Sequence, residues 1–142
     1  MDGLFLKGNA EAPTIVFNPQ DETFEISGKS VIENAEAHFR PAINWLKTYA
    51  TSPLSRIRVN FNLEYFNIST SKLVLEMLHT LDRMIKAGWD VCVRWYSQPE
   101  DDDMYEVGVD LAELVRVPFE FRQARLQPVT PLRSPQGLMF SA

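Results

Sequence analysis

The chain is 142 residues long, enough for one domain and too short for two full ones. With 45% hydrophobic and 23% charged residues it holds the apolar material of a packed core, which excludes a disordered polymer. Its 14 Lys and Arg stand against 19 Asp and Glu, a net charge of -5, so it lacks the basic surface that a nucleic-acid partner requires.

Taken from the N-terminus, Met1 to Lys7 shows no basic start and no long apolar stretch, and no segment is apolar over the length of a membrane span. A cytoplasmic protein without a membrane segment is expected. Apolar runs at Leu4 to Leu6, 14–18 and 23–27 are separated by Gly8-Asn9 and by Pro19-Gln20-Asp21-Glu22, which carry turn chemistry and predict a hairpin or meander. From Glu33 to about Ala50 the residues Ala35, Phe39, Ala42, Ile43, Leu46 and Tyr49 recur at helical spacing, with Pro41 expected to kink the helix or delay its start.

The segment from Arg56 to Phe66 alternates without exception, Ile57, Val59, Phe61, Leu63 and Tyr65 on one side and Arg58, Asn60, Asn62 and Glu64 on the other, which is a strand with one wet face. Between Ser69 and Ala87 the residues Leu73, Met77, Leu78, Leu81, Met84 and Ile85 form a helical stripe, and Gly88 stops it. A strand at Val91, Val93 and Trp95 follows. A helix from Asp101 to about Val115 is expected to turn Met104, Val107, Leu111 and Leu114 inward, with Glu100 to Asp103 favoured near its start by the helix dipole. Phe119 and Phe121 supply the apolar side of a last strand. The stretch 126–142, with Pro128, Pro131, Pro135 and Gly137, reads as a flexible tail beyond a single domain over 1–125.

Strand and helix alternate from residue 56 to 122, which implies parallel strands joined by right-handed crossovers in one direction, and so helices on one face. The predicted fold is an α/β two-layer sandwich: a mixed sheet with an N-terminal hairpin and about three helices on one side.

Chemistry concentrates where the alternating strand meets the second helix, at Glu64-Tyr65-Phe66-Asn67-Ile68-Ser69-Thr70-Ser71-Lys72. Asn67, Ser69 or Thr70 can accept a backbone N–H as a helix cap, and the same position tolerates a phosphate, so capping and a phosphorylation switch both fit. The consecutive carboxylates Glu100 to Asp103 lack the spaced ligands of a calcium loop, and His38 and His79 have no recognisable nucleophile nearby. Cys92 cannot form an internal disulfide and reads as a small core residue. Without a glycine-rich phosphate loop or metal-binding His/Glu pair, no cofactor or metal is expected, and an enzyme is unsupported.

Three blocks in order, Gly28-Lys29-Ser30 with Glu33-Asn34, Glu64-Tyr65-Phe66-Asn67 through Ser71-Lys72, and Glu100 through Met104 with Pro118-Phe119, resemble the SiaC-like biofilm-regulation phosphoprotein family over residues 4 to 123. The resemblance implies a STAS-like domain acting in a partner-switching circuit. A kinase would phosphorylate the hydroxyl-rich turn, a phosphatase reverse it, and the unmodified form bind a target, in the characterised case a diguanylate cyclase. The family's acceptor follows the asparagine, where this chain has Ile68 in place of Thr or Ser. Ser69 becomes the leading candidate, with Thr70 and Ser71 behind it. Tyr65, Phe66, Asn67, Ile68 and Lys72 are the expected partner contacts. A constitutive adaptor without phosphorylation, and a small enzyme using the acidic residues at 100–106, are the competing functions.

Overall fold

Alternation from Ile57 to Leu63 makes the strand Ile57–Phe66 the axis of the molecule, because it commits one side to the core and the other to polar neighbours. Beyond Leu63 the expected alternation fails, since the pairing register with the preceding strand shifts there, and Tyr65, expected on the core side, is exposed while Phe66 is half-buried. The computed structural model describes residues 2–53 and 56–124, so the tail expected at 126–142 lies outside the described residues. The elements run β1 (Leu4–Leu6), β2 (Thr14–Asn18), β3 (Thr23–Ser30), α1 (Ala35–Tyr49), β4 (Ile57–Phe66), α2 (Ile68–Lys86), β5 (Val91–Ser97), α3 (Asp102–Leu114) and β6 (Phe119–Gln123). The strands form one sheet in sequence order, with β1, β2 and β3 antiparallel and β3 through β6 parallel. It is the two-layer mixed α/β sandwich that the alternation predicts.

Ile15, Phe17, Phe24, Ile26, Ile57, Val59, Phe61 and Trp95 are fully buried with α1 and α2 residues such as Phe39, Ile43, Met77, Leu78 and Leu81 and, over Trp95, with α3. Each large side chain so buried contributes about 1.5–3 kcal/mol. The opposite side carries a polar row across the sheet, Glu25, Asn60, Arg94 and Glu120 in register. Arg58 is half-buried there and bonds Asp90 at 3.1 Å, while Arg94 lies 3.5 Å from Glu120. Among the described residues the partners of these side chains come from strands and a loop, not from a helix. On the helix side α1 and α2 are tied by Glu76, which accepts from Arg40 at 2.8 Å and from Lys47 at 2.9 Å. Arg40 foremost, then Lys47, holds the Glu76 carboxyl down at about 2.

Three further expectations change. Pro41 does not delay the start of α1, which begins at Ala35 under an Asn34 cap and runs on past the proline to Tyr49, with the proline ring on the exposed side. The inward stripe of α3 is Met104, Gly108 and Leu111, while Val107 and Leu114 are exposed. The cause is Gly108: a Cβ there would lie 2.4 Å from the Trp95 indole, whose Nε1 donates to the Met104 carbonyl at 3.0 Å. The helix sits flat on that ring only because position 108 has no side chain. Cys92 is buried, but on the polar side of the sheet beside Glu120, where burial first and then Glu120 raise its thiol pKa.

Candidate functional site

Parallel pairing of β3 with β4 brings two distant blocks of sequence side by side at the C-terminal edge of the sheet. The register shifts between Gly28 and Lys29, and Gly28 adopts φ +108, a conformation a side chain would strain, so that Ser30 arrives opposite Phe66. There the Ser30 carbonyl accepts from the Asn67 N–H at 3.1 Å and Asn67 Nδ2 donates to the Ile32 carbonyl at 3.2 Å. The turn into α2 is therefore anchored to the end of β3 before any side chain of α2 contributes.

Asn67 alone caps α2: its Oδ1 accepts the Thr70 N–H at 3.0 Å. The expectation that the serine and threonine hydroxyls accept the free N–H groups is corrected, because the three hydroxyls do three other things. Ser69 is exposed and donates to Asn67 Oδ1 at 2.9 Å, steadying the cap. Thr70 is fully buried, its Oγ1 2.6 Å from Ser30 Oγ. Ser71 donates to the Ile68 carbonyl at 2.6 Å. Sequence reasoning had no means of pairing Ser30 with Thr70, forty positions apart. The glycine two residues before Ser30 was the available signal.

Around this turn Ile68 is 81% and Tyr65 55% exposed, while Phe66 is half-buried with its ring edge-on to Trp95. Lys72 is exposed and has no ion pair among the described residues. The first turn of α2 contains no acidic residue, unlike that of α1 with Glu36 or α3 with Asp102 and Asp103. The run Glu100 to Asp103 starts α3, Asp101 capping it through the Met104 N–H at 3.0 Å. Among the described residues no group of three or more His, Cys, Asp or Glu could hold a metal ion. His38 Nε2 bonds the Pro13 carbonyl at 2.7 Å and His79 is exposed on α2, so neither faces the turn. No helix is long and apolar enough to cross a membrane among the described residues.

Residues 6–124 match the family described as SiaC family regulatory phosphoprotein. An uncharacterized protein of Pseudomonas aeruginosa strain UCBPP-PA14 is 24% identical over 119 residues, 84% of this chain and 94% of that one. A chain of the crystal structure of diguanylate cyclase SiaD in complex with its activator SiaC from Pseudomonas aeruginosa superposes with TM-score 0.80 at 22% identity, covering 85% of this chain and 99% of that one. Apo-SiaC from the same organism gives 0.78 at 23% identity, over 86% and 99% of the two chains. At such identities these structures speak for the fold. The family match, running from the end of β1 through β6, takes in both blocks that meet at the Asn67 turn, and the chain belongs to the SiaC family of regulatory phosphoproteins.

Proposed function

We propose that this chain is a non-catalytic signalling protein whose surface at Tyr65, Phe66, Asn67, Ile68 and Lys72 docks a partner protein, and that phosphorylation of Ser69 controls the docking. The observation that carries this function is an exposed serine at the second position of a 19-residue helix whose first turn holds no acid. A helix N-terminus favours negative charge, and here no carboxylate already occupies it. Ser69 has only an exposed bond to Asn67 Oδ1 to give up, whereas Thr70 would have to leave its buried bond with Ser30, and Ser71 is half-buried and bonded to the Ile68 carbonyl. They stand behind Ser69 for that reason.

The partner is a diguanylate cyclase, by analogy with the SiaD complex of the Pseudomonas relative; a kinase and a phosphatase write and erase the mark. Docking would bury Ile68 and Tyr65, and a phosphate carrying about -1.5 to -2 charges beside them would be costly to desolvate against an apolar counterpart. Intact mass of the chain from its own host, and binding of stoichiometrically phosphorylated and unmodified protein to that host's diguanylate cyclase, test both halves. Weaker binding of the modified form is expected. Equal affinities, or no added phosphoryl group under any growth condition, would leave a constitutive adaptor, the function that Ile68 at the family's acceptor position would suit.

A further inference from the structure

A cleft of about 210 Å³ opens between the end of β4 and the first two turns of α3. Its floor is Tyr65, Phe66, Met104 and Val107, and its rim Glu64, Asp101 and Asp103. Val107 would have served the core in the predicted helix orientation, and the Gly108 contact with Trp95 turns it outward instead. Helix-start electrostatics accounts for Asp101 and Asp103, but Glu64 belongs to a strand. None of Glu64, Asp101 and Asp103 is in an ion pair among the described residues; the acidic partners there are Glu22, Glu36, Glu76, Asp90 and Glu120.

We infer that this cleft receives an apolar side chain of the partner protein, flanked in the partner by Lys or Arg. The inference rests on the partner-binding function above and names the chemistry of the contact. An apolar floor supplies affinity through desolvation, and an unpaired acidic rim selects cations and speeds their approach. The volume lies below the roughly 300 Å³ at which small-molecule pockets begin and suits a single inserted side chain. Ser69 does not line the cleft, so its occupancy can be measured apart from the switch.

The test uses the full-length chain, isotope-labelled, titrated with a short amphipathic helical peptide of Leu and Lys and with a control in which Glu replaces every Lys. With the Leu/Lys peptide, amide shifts should gather at Glu64 to Phe66 and Asp101 to Val107, and binding should weaken between about 0.05 M and about 0.5 M salt as the charges are screened. The double variant Glu64→Lys with Asp103→Lys should bind that peptide about threefold to tenfold more weakly, and Glu64→Gln with Asp103→Asn should fall between, which guards against a variant that fails to fold. Equal shifts with both peptides, or shifts away from the cleft, overturn the inference. It is equally overturned if cleft amides move with protein concentration alone, since a second copy is then the occupant. Movement on truncation after Ala124 would assign the cleft to the chain's own C-terminal segment and also overturn it. None of these results bears on the Ser69 comparison, which is read from the cyclase.

Discussion

Asn67 does more at the turn than any of the hydroxyls that surround it. Its side chain accepts from Thr70 and from Ser69 and donates to Ile32, and its backbone N–H bonds Ser30. Asn67→Ala should therefore cost about 0.5–2 kcal/mol as a lost cap. Ser69→Ala, which removes one exposed donor, should cost less than about 0.5 kcal/mol. Denaturant midpoints of the two variants, compared with the parent, check the ordering; an equal or larger loss for Ser69→Ala would mean that the hydroxyl carries the cap. Single residues are also where the sequence was hardest to interpret. That Asn67 could cap was plain from its place before a periodic stripe, but the burial of Thr70 depends on a serine delivered by another strand. Cys92 looked like core because its neighbours Val91 and Val93 are apolar, yet alternation puts it among Arg58, Arg94 and Glu120.

Among elements, α2 and most of β4 were legible because their apolar residues keep one period, from Leu73 to Met84 and from Ile57 to Leu63, and Gly88 gives a clean stop. The end of β4 was not, since the register shift opposite Gly28 turns Tyr65 out. α3 was legible as a helix but not as a face: hydropathy scores Val107 and Leu114 and gives no weight to Gly108, whereas packing against a broad indole selects the residue with no side chain. The pairing of α1 with α2 leaves a titratable mark. Glu76 is held down at about 2 from its ordinary 4.5 by Arg40 and then Lys47. A carboxyl lowered in the folded state stabilises above its unfolded value and loses that contribution as the pH falls from about 4.5 towards 2. The side chains of Glu76, Arg40 and Lys47 are 33%, 32% and 42% exposed, so screening limits the effect to about 1 kcal/mol. Glu76→Gln should thus be less stable than the parent at neutral pH by about that amount, and the two should converge in acid. Melting curves across that range decide it; a constant gap would assign the loss to packing.

For the whole molecule, a one-sided sandwich with a net charge of -5 has to absorb a further dianion if Ser69 is a switch. Two effects oppose each other. The uncompensated start of α2 stabilises an anion by about 0.3–1 kcal/mol at an exposed position. Against this, the phosphate cannot donate to Asn67 Oδ1 as the serine hydroxyl does, and added negative charge increases self-repulsion in an already acidic chain. The Thr70 N–H still occupies Asn67 Oδ1, so the cap survives and the lost donor is an exposed one. The carboxylates at 100–103 lie at the start of another helix. The local term should win: phosphorylated protein should melt a few degrees higher than unmodified protein, since about 1 kcal/mol moves the midpoint of a domain this size by roughly 2–8 °C. The gain should shrink in high salt, because both opposing terms are screened. A midpoint that instead falls by several degrees would mean that the phosphate opens the Asn67 turn and exposes the Ser30 and Thr70 pair. Loss of partner binding would then come from local unfolding rather than from charge at an intact surface.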